Sequence, residues 1–356
     1  MRKAIAVFLL IVVAAAALWA GAWYGASEYA KASLDGAQAA AKAGMPGAEC
    51  ANRRITGFPL SLSIACDETA VVAPVRGIAA RIAGLVAEAP FYRPGFVTTA
   101  LAAPLTLDGP GGLRAEATWR DAHATASAGI WPIGVRHTSG TVENLELKLS
   151  GGGLPVEAVT VAHGEAAIGS SPAVANSLRA DVSFVSLKMA RPNGAELPEA
   201  TGEARIDLVG AGGTVTRELD EQLRLWFAAG GKVVVDRATV TVSGVAFSAM
   251  GTLAVSPAGL ISGDLDISLV GIDKIADLAE TLRPGSRETA SQVANVLDAI
   301  AEPVDTQDGP STRFKSAVAI RDGVVVVIGF GLIPIPLPFR LPSVFELAGA
   351  APPSEG

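Results

Sequence analysis

The chain opens on an uncharged run from Ala4 to Ser27, preceded by Arg2 and Lys3 and closed by Glu28. As a helix, Ala4 to Trp23 would extend about 30 Å, the thickness of a hydrocarbon core. Trp19, Trp23 and Tyr24 cluster at its far end, where amphipathic rings favour the membrane interface. Arg2 and Lys3 favour a cytoplasmic near end, which would send the remainder outward. A cleaved signal peptide shares the charged start and apolar middle, and Ala20, Ala22 and Ala26 offer cleavage points. The run exceeds the roughly 7–15 apolar residues usual in a signal core, and the alanine-rich stretch from Glu28 to Ala43 reads as a helical continuation. The expectation is therefore an uncleaved anchor; either reading exports the body.

From Asn52 onward the pattern changes to alternation with period two, the mark of strands with one apolar and one polar face. Leu113, Ala115, Ala117 and Trp119 alternate with Arg114, Glu116, Thr118 and Arg120. Gly263, Leu265, Ile267 and Leu269 alternate with Asp264, Asp266 and Ser268. Further strands are predicted over Val142–Leu149, Val156–Val161, Ala180–Leu187, Glu203–Val209, Lys232–Val242 and Phe314–Ile320. Turn signals at Ser256-Pro257-Ala258-Gly259 and Arg321-Asp322-Gly323 separate such runs. Strands joined this closely pair antiparallel, because parallel pairing needs a longer crossover.

Three helices interrupt the strands. Thr216 to Phe227 carries Leu219, Leu223 and Trp226 on one stripe, with Gly230-Gly231 as its stop. Gly271 to Leu282 presents Ile272, Ile275, Leu278 and Leu282. Ser286 to Ile300 presents Val293, Val296, Leu297 and Ile300, with Ser286 as its N-cap. Their polar faces lack the basic residues of a surface-binding helix, which favours packing on a sheet over peripheral membrane contact. After the apolar run from Val324 to Phe330, the prolines at 334, 336 and 338 cannot donate to a sheet ladder, so the tail reads as an extended edge or a polyproline segment.

The predicted fold is mainly β with a few helices. It is a long curved antiparallel sheet, an open meander forming a groove or a closed sandwich, behind one N-terminal transmembrane helix. The expected organisation is an anchor over residues 1–27 and a helical connector over 28–49. An exported β-rich body follows over 50–345, with helices near 216–229 and 271–300, then a frayed tail over 346–356.

Half the residues are apolar and 18% are charged, which excludes a disordered chain. A single membrane-length run excludes a polytopic protein. A net charge of −7 argues against a nucleic-acid partner. Two cysteines and three histidines leave little for a structural zinc site, and no cofactor is expected. Cys50 and Cys66 are an even pair at short separation in an exported segment, which favours a disulfide over two unrelated buried thiols. Between them, Ile55-Thr56-Gly57-Phe58-Pro59-Leu60 carries a turn signal that a hairpin would use to bring them together.

Candidate catalytic groups are sparse. His123, His137 and His163 lie on or near predicted strands with no metal-ligand spacing around them. Gly169-Ser170-Ser171 lacks the second glycine of a nucleophile elbow. Gly109-Pro110-Gly111-Gly112 and Gly151-Gly152-Gly153 read as turns, and Asp264 with Asp266 as a solvated strand edge. No enzyme activity is expected.

The N-terminal anchor, Gly57-Phe58-Pro59-Leu60 and the following Cys66 resemble the bacterial domain-of-unknown-function family 2125 (DUF2125), a likeness that covers most of the chain and implies no particular activity. Val234–Val240, Gly251–Val255 and Gly259–Leu265 are similar to the C-terminal region of AsmA-like proteins. That likeness implies a single-anchor envelope protein whose antiparallel sheet accommodates lipid. Two functions follow as expectations. One is an inner-membrane protein with its body in the periplasm, holding lipid or another apolar ligand along Leu265, Ile267 and Leu269. The other is a structural module docking to envelope proteins. Inner-membrane lipids are the expected partners of Arg2, Lys3, Trp19, Trp23 and Tyr24.

Overall fold

The computed structural model describes residues 2–73, 77–130, 133–151, 154–212, 225–256, 260–306, 309–322, 324–327 and 335–336. The side chains of residues 2–12, 15, 73, 130, 133–135, 306, 309–310, 325–327 and 335–336 fall outside that description. The fold is mainly β, and each pairing described below is antiparallel. Two compact units are formed, one from residues 1–130 with 140–158, the other from 131–139 with 159–356.

The first unit is not the simple meander expected. Its organising feature is a long strand flanked by short strands set end to end. β5 (Ile78–Pro90) pairs along one edge with β3 (Ser61–Cys66) over its second half and with β4 (Glu68–Ala73) over its first. Beyond them, β1 (Gly47–Ala51) pairs with β4 and β2 (Arg54–Thr56) with β3. On the other edge of β5 lies β6 (Phe96–Asp108), which pairs in turn with β8 (Asp121–Ile130) and β7 (Arg114–Thr118). Trp119 bridges the gap between those two short strands, its indole N–H donating to Leu101 O at 2.9 Å. β7 also pairs with the second half of β9 (Ile133–Ser150). β5 and β6 escaped the strand reading because alanine, glycine and Pro104 dilute their alternation.

The expected hairpin between the cysteines is present as β2 and β3, and Cys50 is bonded to Cys66 with Cα atoms 5.2 Å apart. The bridge ties the edge strand β1 to the end of β3, where Arg54 also grips Asp67 through two hydrogen bonds of 2.7 and 3.2 Å. The N-terminal helix α1 (Arg2–Lys42) is continuous through the expected anchor and the first part of the connector, but ends at Lys42, and residues 47–49 of the expected helical connector belong instead to β1. Its last turns pack on β1, where Gly47 sits so close to Ala37 and Ala41 that a Cβ there would collide. Arg53 bonds Asp35 at 2.9 Å, and Trp23 donates to Ser61 O at 2.8 Å. Among the described residues no helix is long and apolar enough to cross a membrane; the side chains of residues 4–12 and 15, within the expected anchor, fall outside the description.

The second unit is the meander. β10 (Ala158–Ser170) and β11 (Ser177–Ala190) lead into β12 (Ala200–Val209), β13 (Lys232–Val242), β14 (Val245–Val255) and β15 (Ile261–Val270). β11 to β15 pair in sequence. β15 then pairs with β17 (Gly309–Arg321), which also holds β16 (Glu302–Thr306) and β18 (Val324–Val327). Gly251 and Gly263 hold φ of 148° and 155° within the β14–β15 pair. A Cβ on either would strike the backbone of the opposite strand, so these positions tolerate no other residue at this register.

Helices differ from expectation in detail. Residues 225–228 are helical, while 213–224 lie outside the described residues. The next segment starts as a 3-10 turn at Ile272–Lys274 and continues as α2 (Ile275–Leu282). In α3 (Arg287–Asp298), Ser286 occupies the N-cap position but makes no capping bond; its hydroxyl donates to Arg283 O at 2.7 Å. The cap comes instead from Glu280 on α2, whose carboxylate accepts from the N–H groups of Gly285 and Arg287 at 3.0 Å. Those bonds hold the Glu280 carboxyl below the usual range. The buried residue of α3 is Ala294, with Leu297 packed beside it, whereas Val293, Val296 and Ile300 are half exposed or more. Pairing across β17 places Asp264 and Asp266 on an interior strand, not at an edge, and Arg321 bonds Asp264 at 2.9 Å. Of the tail, Ile335 and Pro336 pair with β18 as an edge bridge, the first of the two forms the proline spacing allows; residues 328–334 and 337–356 lie outside the described residues.

The disulfide closes a 16-residue separation, a loop for which the chain-entropy model gives about 3 kcal/mol. Cys50→Ser, or reduction of the wild type, is expected to lower the urea midpoint of the first unit accordingly. Alkylation mass measurement should find both thiols blocked until reductant is added. Labelling of both thiols in protein prepared without reductant under oxidising conditions would contradict the bridge.

Candidate functional site: an apolar sheet face closed at both ends

In an antiparallel pair, directly opposite residues share a face. The registers from β11 to β17 therefore place Val182, Ala204, Ala238, Ala249, Ile267 and Ser316 side by side across six strands. Their neighbours two residues along, including Val240, Phe247, Leu265 and Val318, belong to the same face. Ser316 is the one polar side chain this face carries within those registers. A one-residue bulge at Asp236 preserves this sorting, because Arg205 faces Arg237 while Ile206 faces Val235.

Each end of the face is closed by a helical segment. At one end Trp226 and Phe227 are buried against Val255, with Leu208 and Val233 packed around them. The Trp226 indole donates to Val209 O at 2.7 Å, and Gly231 leaves the space its ring fills. At the other end Ile272, which is fully buried, Ala294 and Phe314 form a second cluster joined by Leu269. The strands between are about ten residues long, roughly 33 Å. Along that interval Ala204, Val235, Ala249 and Ile267 are half-buried and Phe247 is 39% exposed.

The three residues expected to line a groove thus have different surroundings. Leu269 packs beneath the helices. Leu265 and Ile267 remain half-buried beside the cluster of Ile261, Val318 and Ile320. Phe247, Ala249 and Val235 complete the same surface and were not singled out; the alternation of β14 was legible, but Ala249 and Gly251 weaken it. Of the expected membrane-interface residues, Trp19 and Trp23 are bonded to Pro59 O and Ser61 O, and Tyr24 is 63% exposed. Arg2 and Lys3 begin α1, with side chains outside the description.

The opposite face is charged. Arg179 and Asp207 stand directly opposite on β11 and β12 and join through two bonds of 2.6 and 2.9 Å. Arg205 bonds Asp181, and Arg237 bonds Glu203. An open groove of about 710 Å³ lies on this polar side of β14, β15 and β17, bordered by Ser248, Met250, Asp266, Ser268 and Lys315. His123 and His163 pair with Asp121 and Glu165 of their own strands, at 2.8 and 3.1 Å, and His137 lies against Gly169. The Ser171 hydroxyl accepts from the N–H groups of Ala173 and Val174, which makes it a turn former. Among the described residues, no group of three or more histidine, cysteine or carboxylate side chains could hold a metal ion.

Residues 23–336 match the family described as an uncharacterised protein conserved in bacteria, DUF2125. The chain belongs to that family. No curated protein and no solved structure matches it.

Arg179 holds the Asp207 carboxyl below the usual range, outweighing the opposing effect of burial, and Ser171 adds to the lowering. A depressed carboxylate stabilises the fold above its unfolded pKa, about 3.9. That contribution fades as pH falls through the lower folded-state value. Asp207 is 2% exposed, so Asp207→Asn, which leaves Arg179 without its charge partner, should cost about 3 kcal/mol at neutral pH. It should also flatten the acid limb of stability against pH. A urea series over roughly pH 2 to 7 tests both; an unchanged acid limb would show that Asp207 does not contribute to it.

Proposed function

We propose that this chain is a non-enzymatic envelope protein, anchored in the inner membrane by α1 with its body in the periplasm, and that it holds a lipid or another apolar ligand against the face of β11–β17. The observation that carries this reading is the apolar face itself, about 33 Å long by strand geometry, half-buried along its middle and closed at both ends by packed aromatic and aliphatic clusters. Ligand sites are mostly apolar with few polar groups, and apolar surface of this extent is uncommon unless something covers it. The segments similar to AsmA-like proteins fall on the adjacent strands β13, β14 and β15, the middle of the face. The anchor is supported by the uncharged sequence of Ala4–Trp23 behind two cations.

One observation favours the docking module instead. Val293, Val296 and Ile300, spaced to share one side of the segment through α3, are 50%, 54% and 58% exposed.

Native mass spectrometry of the full chain after mild detergent extraction should find wild-type protein carrying a lipid-sized adduct. Ile267→Asp should still fold but lose the adduct, because Ile267 is half-buried rather than sealed in a dry core. Wild type without any bound lipid would transfer the reading to the docking module. For topology, a reporter that fluoresces only in the cytoplasm should stay dark when fused after Gly356; a bright fusion would overturn the periplasmic placement.

A further inference from the structure

Two turns of the first unit lie side by side next to α1. The turn between β2 and β3 spans residues 57–60, and that between β5 and β6 spans 91–95. Ser61 stands opposite Pro90, and the Phe91 N–H donates to Leu60 O at 3.0 Å, so the two tips form one surface. That surface is apolar and uncovered: Phe58 is 56% exposed, Leu60 64% and Tyr92 73%. Its sole charge is Arg93, whose guanidinium lies 4.3 Å over the ring of Phe96.

The same surface is locked to the helix. Trp19 donates to Pro59 O at 2.6 Å and its ring lies 5.7 Å from that of Phe91. Trp23 meets Phe58 edge to face at 5.6 Å. On the N-terminal side of these contacts, Leu18 and Val13 are 76% and 66% exposed. Because α1 is a single helix, depth along it is set by residue count. Lys3 to Trp19 measures about 24 Å at 1.5 Å per residue, against a hydrocarbon core of about 30 Å. With Lys3 at one boundary, Trp19 lies within about one to two turns of the other. The carbonyl of Pro59 is then held at that depth, and Phe58 and Leu60 with it.

We infer that the paired tips, residues 57–60 and 91–95, are a second membrane contact that inserts into the outer interface of the bilayer and seats the first unit on it. This rests on the anchor reading. Phe58, Leu60 and Tyr92 supply the apolar and amphipathic groups that partition to the acyl–headgroup boundary, and Arg93 supplies a cation for lipid phosphates. The occupant is lipid because the surface is continuous with the apolar length of α1 and bonded to its interfacial tryptophans.

The test uses the full chain with photoreactive benzoylphenylalanine in place of Leu60, Tyr92 or, as control, Val71. Val71 is 49% exposed but faces Ala80, ten positions along β5 from Pro90, or about 33 Å away. Each variant is reconstituted into vesicles of phosphatidylcholine with one quarter phosphatidylglycerol, floated, irradiated and read by mass spectrometry. Lipid adducts at positions 60 and 92, about tenfold above position 71, are expected for groups within the interface. Vesicle-bound protein without excess adducts at 60 and 92 would overturn the seating while leaving the anchor intact. Crosslinks to a second copy would replace lipid with a self-interface. Protein that fails to float would overturn the anchor and the seating together.

Discussion

A slip of one residue between any two strands from β11 to β17 would turn half of an apolar face into water and charged side chains into its place. Register is the constraint on which the second unit depends. It is enforced on both faces. Gly251 and Gly263 let β14 and β15 approach more closely than any side chain would permit, so displacing either glycine from its partner would bring a Cβ against backbone. On the other face, Arg179 opposite Asp207 and Arg205 opposite Asp181 satisfy one another only in this alignment. The bulge at Asp236 shows how strictly the sorting is kept: an extra residue is accommodated without exchanging the faces.

The first unit meets a different requirement, that of attaching a long helix to a sheet. Long strands flanked by short ones leave edges that would otherwise be open. α1 lies against β1 on one of those edges, where Gly47 allows backbone contact with Ala37 and Ala41. The disulfide fastens β1 to β3 beside it. The helix and the hairpin tips are held together by Trp19 and Trp23, which pack on the turns and donate hydrogen bonds to Pro59 O and Ser61 O.

Much of the candidate site was legible from alternation. Lys232–Val242 was bounded as found, and the apolar side of β15 was read correctly as Leu265, Ile267 and Leu269. What that reading lacked was neighbours. Phe247 and Val235 join Ile267 only through pairing, and Leu269 is withdrawn from the face because Ile272 and Phe314 close over that end. The same limit applies to α3. Its apolar residues were recognised, but which of them face the sheet depends on how α2 is placed, and α2 also supplies the cap through Glu280.

By itself the sequence determined the local and the chemical: a continuous apolar N-terminal segment, period-two strands, turn positions, the cysteine pair and the bacterial family. These depend on residues adjacent along the chain, where periodicity of 3.6 or 2 decides which side chains share a side. Only the tertiary structure decided that β3 and β4 share one edge of β5, that the polar face carries an ordered charge ladder, and that two separate turns meet beside Trp19. Those outcomes rest on contacts between residues far apart in the chain, such as Trp19 with Pro59 and Phe91. Their energies exist only once the strands have been aligned, so no local pattern of hydrophobic and polar positions encodes them.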